Sequence, residues 1–275
     1  NGSGKTTTIL LLLGLTEPSA GEIRVLGLDP LRQPLAVKRK VGYLPDQIGF
    51  YDHLTARENL GYSARLAGLA SPEASRRIDD ALARVRLTEV RDRRVSTFSR
   101  GMRQRLGIAE MLVKQAEIAI LDEPTSGLDP QSTQELLDLI RQLAAEGVTI
   151  VLSSHLLSMM QTICDRVALF RKGRIGLIGK VGELTADVLG GTHVVEVEAR
   201  GADLAAVLKD APHVSSVTPL KAGRWRVDAD NDIRADIARR VVQAGGELSE
   251  MTIRQSSLDE VYVRFFEGDK HDVAA

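Results

Sequence analysis

The chain has 275 residues, enough for one large domain or for a main domain with a smaller one appended. Charged residues make up 27 % of the sequence but leave a net charge of only −1, so no overall basic field points to nucleic acid as a partner. The one cysteine excludes an intramolecular disulfide framework, and the longest apolar run, residues 9–15, is far below the roughly 20 residues that a transmembrane helix needs.

A phosphate-binding loop is predicted at the first residues, where the segment NGSGKTT (1–7) leads directly into an apolar helical pattern. Glycines in this pattern let backbone N–H groups surround phosphate oxygens at a helix N-terminus, while Lys5 supplies a positive charge and Thr6 a hydroxyl for Mg²⁺. The full pattern is G-x-x-x-x-G-K-[ST], so we expect a further glycine two residues before Asn1 and a natural sequence that continues upstream.

Up to about residue 182, short apolar runs rich in β-branched residues alternate with helical patterns, which predicts an α/β fold with a largely parallel sheet. The predicted strands are residues 22–26, 41–44, 118–121, 149–152 and 167–170. The predicted helices are residues 54–69, 72–85 and 131–146, the first two within a helical subdomain at about 54–115.

Two of these strands end in residues suited to phosphoryl transfer. The strand at 118–121 is followed by Asp122 and Glu123, of which one carboxylate can hold Mg²⁺ and the next can polarise an attacking water. His155 comes just past the strand at 149–152. Ligands of open α/β sheets bind beyond the carboxyl ends of the strands, so we expect these side chains and the phosphate loop to meet at one nucleotide.

A second anion site is indicated by the segment FSRGMRQR (98–105), a Ser-x-Gly turn that leads into a helix. Ser99 offers a hydroxyl and Gly101 a backbone N–H at a helix N-terminus, where anions are favoured. A simple N-cap on a basic helix is the alternative. The arginines of this region are interrupted by acids and lack interleaved aromatic residues, so the region does not indicate nucleic-acid binding.

After residue 190 the pattern changes to short strands and helices in the order β-α-β-β-α-β, followed by one more helix. This order is that of the split βαβ, or ferredoxin-like, arrangement. The strands are expected at 193–199, 214–220, 224–228 and 247–254, and the helices at 203–209, 233–244 and 258–267. We therefore expect a small α+β accessory domain at 191–267 after a main domain at 1–182.

Five motifs, in order, resemble those of ABC transporter ATP-binding subunits: the Walker A loop, the signature, the Walker B strand, the D-loop and the H-loop. They are the segments GSGKTT (2–7), SRGMRQR (99–105), LDEP (121–124), SGLD (126–129) and SSH (153–155). The resemblance covers about residues 1–182 and implies the P-loop NTPase fold of an ABC ATPase domain. The small C-terminal domain is similar to one common in the drug, sodium and antibiotic-resistance exporter branch, where either a regulatory or a stabilising role is open.

The resemblance implies a head-to-tail homodimer that encloses two ATP molecules, each between one subunit's Walker A loop and its partner's signature. Residues implied to bind ATP and Mg²⁺ within one subunit are Gly2, Ser3, Gly4, Lys5, Thr6, Thr7, Gln47 and Asp122, with Thr6, Gln47 and Asp122 near the metal. Glu123 is implied to be the general base and His155 to contact the γ-phosphate. Ser99 and Gly101 would act on the partner's ATP, and Asp129 would lie at the dimer contact.

Two motifs depart from the family pattern. The usual signature is Leu-Ser-Gly-Gly-Gln, whereas Phe98, Arg100 and Met102 occupy its first, third and fifth places, a form similar to that of the exporter branch. In the Q-loop, Asp46 stands where the glutamine is usual and Gln47 follows one residue later. Either side chain can coordinate Mg²⁺ or signal to the membrane subunit, and we take Gln47 as the first candidate.

The resemblance predicts an ATP-hydrolysing subunit of an ABC exporter, bound peripherally at the cytoplasmic face of the cell membrane and driving separate transmembrane permease subunits. ATP and Mg²⁺ are the implied cofactors, and no nucleic acid is expected as a partner. The alternative is a soluble ABC-type ATPase not tied to transport. Such relatives usually carry two cassettes, long coiled coils or zinc modules, and this chain has one cassette.

Overall fold

The computed structural model describes residues 2–189, 193–221, 223–255 and 257–267. The chain divides into two compact units, Asn1–His155 and Leu156–Ala275. The domain limits expected at residues 182 and 191 stay predictions, and the expected break at 190–191 lies outside the described residues. In the part of the chain that the structure describes, no helix combines the length and the apolar character needed to cross a membrane.

The first unit contains a parallel sheet of three strands in the order β1-β2-β3. The strands are β1 (Val41–Leu44), β2 (Ile118–Asp122) and β3 (Thr149–Ser153). Their register aligns Leu44 with Leu121 and Asp122 with Ser153, so the carboxyl ends of the strands lie at one edge of the sheet. The prediction of an α/β fold with a parallel sheet is confirmed.

Helices of the first unit pack on this sheet and on one another. They are α1 (Lys5–Leu12), α2 (Pro34–Lys40), α3 (Ala56–Leu66), α4 (Ser71–Arg84), α5 (Arg100–Lys114) and α6 (Pro130–Ala145), with short 3₁₀ turns at Thr88–Val90 and Val95–Thr97. α3 begins with a capping box, in which the Thr55 hydroxyl accepts from the Glu58 N–H at 3.1 Å and the Glu58 carboxylate accepts from the Thr55 N–H at 2.7 Å. α3, α4 and α5 contact one another in the region predicted as a helical subdomain.

α5 lies very close to β1 because glycines remove the side chains that would separate them. A Cβ atom at Gly42 would come within 2.4 Å of the Cγ of Met111, and one at Gly107 within 2.2 Å of the Cδ1 of Leu44. Both distances are far below van der Waals contact, so a larger residue at either position would force the helix and the strand apart. The helix that begins with the SRGMRQR segment is thus seated directly on the strand that leads to Asp46 and Gln47.

Residues 22–26 do not form the predicted strand. Val25 makes one isolated antiparallel bridge with Leu28, through two reciprocal hydrogen bonds of 2.9 Å. Leu26 (φ 51°) and Gly27 (φ 77°) turn the chain back between them. The prediction of a strand here is wrong, because a strand needs a neighbouring strand and the described residues supply none at this place.

The second unit begins with an antiparallel hairpin and three helices around it. The strand predicted at 167–170 is β4 (Arg166–Arg171), but it pairs antiparallel with β5 (Arg174–Lys180) instead of joining the parallel sheet. The helices are α7 (Leu157–Ile163), α8 (Val181–Leu189) and α11 (Leu258–Glu267). Val261 of α11 is fully buried beside Leu169 and Leu157, so this last helix belongs to the same small core as the hairpin.

A four-stranded antiparallel sheet completes the second unit, in the order β7-β8-β6-β9. Its elements are β6 (His193–Arg200), α9 (Leu204–Val207), β7 (Val214–Pro219), β8 (Arg224–Ala229), α10 (Arg234–Gln243) and β9 (Glu247–Gln255). This order matches the predicted β-α-β-β-α-β arrangement. One face of the sheet packs on α9 and α10 through buried Val197, Val227, Leu204 and Ile237.

Candidate nucleotide-binding site

The glycine-rich loop ends directly at the N-terminus of α1. Gly2 (φ 78°) and Gly4 (φ 103°) both adopt the left-handed region, which an L-residue enters only with strain. Gly4 is the N-cap of α1, and no side chain caps the first N–H groups of the helix. The Thr8 hydroxyl instead donates to the Gly4 carbonyl at 2.9 Å. The loop therefore presents backbone donors and the positive end of a helix to an anion.

Asp122 connects this loop to the edge of the sheet. Its side chain accepts a hydrogen bond from the Thr6 hydroxyl at 3.4 Å and a second, short one from the Ser153 hydroxyl. The residue is only 6 % exposed. A hydroxyl and a buried carboxylate side by side are the hard oxygen donors that Mg²⁺ prefers. The described residues contain no group of three or more His, Cys, Asp or Glu that could hold a metal ion.

Glu123 follows immediately and is held on two sides. Its N–H donates to both the carbonyl of Ser153 at 3.2 Å and the hydroxyl of Ser153 at 3.1 Å. Its Oε2 lies 2.8 Å from the Nδ1 of His155. The backbone of Glu123 is in the left-handed region (φ 49°), which is uncommon for a non-glycine residue and often marks a functional site. The conformation aims the carboxylate past the end of β2.

Ser153 was not predicted as a site residue, yet it contacts both acids. Its position as the last residue of β3, paired in register with Asp122 at the last residue of β2, puts its hydroxyl at the same edge. The sequence signal for it was the SSH segment, which was read only for its histidine. Thr6, Asp122, Glu123 and His155 thus meet as predicted, with Ser153 between the two acids.

Ser99 and Gly101 belong to a second cluster, at the N-terminus of α5. The Ser99 hydroxyl accepts a hydrogen bond from the Met102 N–H at 3.2 Å and so caps the helix. A Cβ atom at Gly101 would lie 3.2 Å from the hydroxyl oxygen of Ser132, which shows how closely the start of α5 packs on α6. Ser132 donates through its hydroxyl and its N–H to Asp129, and these bonds hold the pKa of Asp129 below its ordinary value.

Two of the residues at which the sequence departs from the motifs that it resembles, Arg100 and Asp46, contact each other. The Nη2 of Arg100 lies 2.7 Å from the Oδ1 of Asp46, whereas Gln47, the next residue, is exposed. Sequence reasoning did not predict this pair. Among the described residues, no hydrogen bond or ion pair joins Ser99 or Gly101 to the loop at 2–7, so one copy of the chain presents two separate clusters.

The structure gives only the exposure of the remaining loop residues. Thr7 is exposed, and Ser3 and Lys5 are half-buried. The structure adds no hydrogen bond from these three side chains to the acids at 122 and 123. Their roles therefore rest on the loop conformation and on the sequence pattern.

Comparison with known families gives one match, to the family described as "ABC transporter", over residues 1–126. Among curated proteins, the ABC transporter ATP-binding protein NatA of Bacillus subtilis is 42 % identical over 176 residues, covering 64 % of this chain and 72 % of NatA. The bacitracin transport ATP-binding protein BcrA of Bacillus licheniformis is 34 % identical over 272 residues, covering 98 % of this chain and 86 % of BcrA.

Solved structures give the same result for the fold. A structure described as the ATP-binding subunit of an ABC transporter superposes with a TM-score of 0.63 at 31 % sequence identity, covering 75 % of this chain and 82 % of that chain. The superposition extends beyond the 126 residues of the family match. Sequence and fold therefore agree on the relatives of this chain.

Proposed function

The chain belongs to the family of ABC transporter ATP-binding subunits, which are ATPases, and from this premise we propose that it powers an exporter through separate membrane subunits. The observation that carries the proposal is the continuous hydrogen-bonded group at the edge of the sheet. It runs from Thr6 through Asp122 and Ser153 to Glu123 and His155. In this proposal the group supplies metal-binding oxygens, a carboxylate base and an imidazole to one phosphate loop.

ATP binding is assigned to the loop and the start of α1. Backbone N–H groups of residues 2–7 surround the phosphates, and Lys5 neutralises their charge. Thr6 and Asp122 hold Mg²⁺, with Gln47 as a further ligand. When bound, Mg²⁺ neutralises charge that develops on the transferred phosphoryl group. Ser3 and Thr7 complete the contacts to the phosphates.

Hydrolysis is assigned to Glu123 as the general base. A water that donates its proton to the Glu123 carboxylate can attack the γ-phosphorus in line with the departing ADP oxygen. His155 holds the carboxylate through the 2.8 Å contact of its Nδ1, which leaves its other ring nitrogen as the group that would contact the γ-phosphate. The backbone of Glu123 is fixed by its bonds to Ser153, and the contact with His155 orients its carboxylate.

A second copy of the chain completes each site in this proposal. Ser99 and Gly101 lie in a cluster of their own and act on the ATP held by the partner's loop, with Asp129 at the contact between the copies. Loss of the γ-phosphate removes the bridge between the copies, so the dimer opens and the membrane subunits change state.

The transport role is the part of the proposal that the relatives support. BcrA is named for bacitracin transport, and its similarity covers 98 % of the residues of this chain, which favours an exporter of a related kind. The protein then works at the cytoplasmic face of the cell membrane, held there by permease subunits. A soluble ABC-type ATPase is the alternative that co-purification with a polytopic membrane protein would exclude. Recovery only from the soluble fraction, with no membrane partner in cross-linked cells, would contradict the exporter.

The catalytic assignment is tested by the substitution Glu123→Gln in the complete protein. We expect ATP turnover to fall by about 10²–10⁴, the usual loss for a general base, while ATP affinity measured by calorimetry stays close to that of the unaltered protein. The matched control is Glu117→Gln, because Glu117 forms a 2.7 Å ion pair with Lys40 at the opposite edge of the sheet. Near-normal turnover in Glu123→Gln would refute the assignment.

A further inference from the structure

The ion pair between Arg100 and Asp46 joins the signature to the Q-loop within one copy. Its N–O distance is 2.7 Å, and the two side chains are 44 % and 48 % exposed. An ion pair with this exposure contributes little to stability and exchanges readily, because water competes for both charges. The pair is therefore suited to a contact that opens and closes rather than to a fixed brace.

Arg100 stands between the two residues assigned to the partner's ATP. It is the first residue of α5, directly after Ser99 and directly before Gly101. Its side chain lies over Gly127, where a Cβ atom would be 3.4 Å from both the Cδ and the Nη1 of Arg100. Gly127 has a φ of 68°, so this position favours glycine for its conformation as well as for the space it leaves. The partly exposed guanidinium is thus held between Gly127 and Asp46.

A second ion pair, one helical turn later, joins α5 to the segment that follows Asp46. Arg103 lies 2.7 Å from Asp52, with the arginine side chain 24 % exposed and the aspartate 61 % exposed. Arg103 is thus more buried than Arg100, and its pair is a separate contact between α5 and this segment. The outer arginine can then change its partner without release of the helix.

We infer that Asp46 is a positioning residue: it binds the guanidinium of Arg100 until the γ-phosphate of the partner's ATP takes its place. The inference rests on the head-to-tail dimer of the proposed function. A γ-phosphate carries more negative charge than one carboxylate and offers three acceptor oxygens to the planar fork of a guanidinium, so it is the stronger partner. No covalent step is involved.

The exchange would link the two ATP sites of a dimer. Asp46 lies in the Q-loop beside its own copy's nucleotide, and Arg100 lies beside the nucleotide of the other copy. Each ATP that engages Arg100 across the interface frees Asp46 in the opposite site. Closure of one site therefore changes the charge beside the other.

The test is dimerisation driven by a non-hydrolysable ATP analogue with Mg²⁺, measured by sedimentation velocity on the complete protein. The quantity compared is the analogue concentration at which half of the protein is dimeric. We expect Asp46→Asn to lower this concentration by about 2–5-fold, because the competing carboxylate of a weak, exposed pair is gone. We expect Arg100→Ala to raise it by about 10-fold or more, because a charge-assisted contact to phosphate is lost.

Opposite signs for the two variants distinguish competition from a structural brace. If the pair were only a brace, both substitutions would shift dimerisation in the same direction, and the exchanged variant Asp46→Arg with Arg100→Asp would restore it. Competition predicts that the exchanged variant stays impaired and that Asp46→Asn has no effect once Arg100 is alanine. The control Glu117→Gln removes an equally short ion pair at the far edge of the sheet and should shift nothing.

Three outcomes overturn the inference, and they separate its failure from that of the proposed function. Shifts of the same sign, or no shift, in a protein that dimerises with the analogue reject the exchange and leave the dimer intact. Rescue by the exchanged variant rejects it in favour of a brace. An unaltered protein that binds the analogue by calorimetry but stays monomeric at saturation rejects the dimer, and the inference with it.

Discussion

Ser153 donates a hydrogen bond to Asp122 and accepts one from the Glu123 N–H, so a single hydroxyl orients both acids of the site. The residue is 7 % exposed and Asp122 is 6 % exposed, which leaves little water to replace the bond. A buried carboxylate that loses a donor bears the cost of its own desolvation. Ser153 is therefore a supporting residue whose loss should affect stability and turnover together.

We expect Ser153→Ala to lower the free energy of unfolding by about 1–3 kcal/mol, since Asp122 would lose a buried hydrogen bond. Turnover should fall by about 10-fold as the Glu123 amide loses one of its two acceptors. Urea denaturation and a steady-state ATPase assay measure the two effects. Ser75→Ala, at an exposed position in α4, is the control and should change neither. A Ser153→Ala protein with wild-type stability would show that water replaces the hydroxyl.

Among elements, those with a complete local signal were predicted well. α3 has both an amphipathic pattern and the capping pair Thr55 and Glu58, and β2 is an uninterrupted apolar run that ends in an acid. β5 was missed because Gly176 and Gly179 interrupt its apolar pattern, so only the pairing with β4 reveals it. The contact of Arg100 with Asp46 spans 54 residues, and no local pattern could indicate it.

The start of α10 provides a test of electrostatics at an element end. Asp232 accepts hydrogen bonds from the Nε of Arg234 at 3.0 and 3.2 Å, from its Nη2 at 2.8 Å, and from its backbone N–H at 3.2 Å. The bond to the Arg234 side chain is the main reason why the pKa of Asp232 falls from 3.8 to about 2. The folded protein therefore favours the charged form of this carboxylate.

We expect the pH dependence to follow from this lowered pKa. The contribution of Asp232 to stability should be fully present above pH 3.8, the unfolded value, and should be lost as the pH falls through about 2. NMR titration of the Asp232 side-chain carbon measures the folded pKa. Arg234→Gln should move that pKa back toward 3.8, and an unchanged value in this variant would contradict the assigned cause.

At the scale of the whole molecule, the second unit has cores of its own. The sheet packs on α9 and α10, while α11 buries Val261 beside Leu157 and Leu169 of the hairpin region. The sequence placed a domain limit at 191 because the glycines at 190–191 mark a change of pattern. Contacts of α11 with α7 and α8 indicate that a stable fragment has to start earlier.

We expect a fragment of residues 156–275 to fold alone and to unfold in one cooperative transition, because its apolar residues have their partners within the fragment. A fragment of residues 191–275 lacks β4, β5, α7 and α8, so Val261 would lose its neighbours and the fragment should melt at a lower temperature. Circular dichroism against temperature compares the two. Equal melting temperatures would favour the limit at 191.

Because α5 packs closely on β1 at Gly42 and Gly107, a small tilt of the helix about this contact would move its N-terminus much further. The tilt would be about Gly107, which packs on Leu44. Ser99 lies about 12 Å from Gly107 along the helix at 1.5 Å per residue. A tilt of about 10° about Gly107 would move Ser99 by about 2 Å. That travel would stretch the 2.7 Å contact between Arg100 and Asp46 beyond the reach of an ion pair, roughly 4 Å, while the helix itself stays seated on the strand. A small rotation of α5 about Gly107 would thereby be enough to break the contact between Arg100 and Asp46.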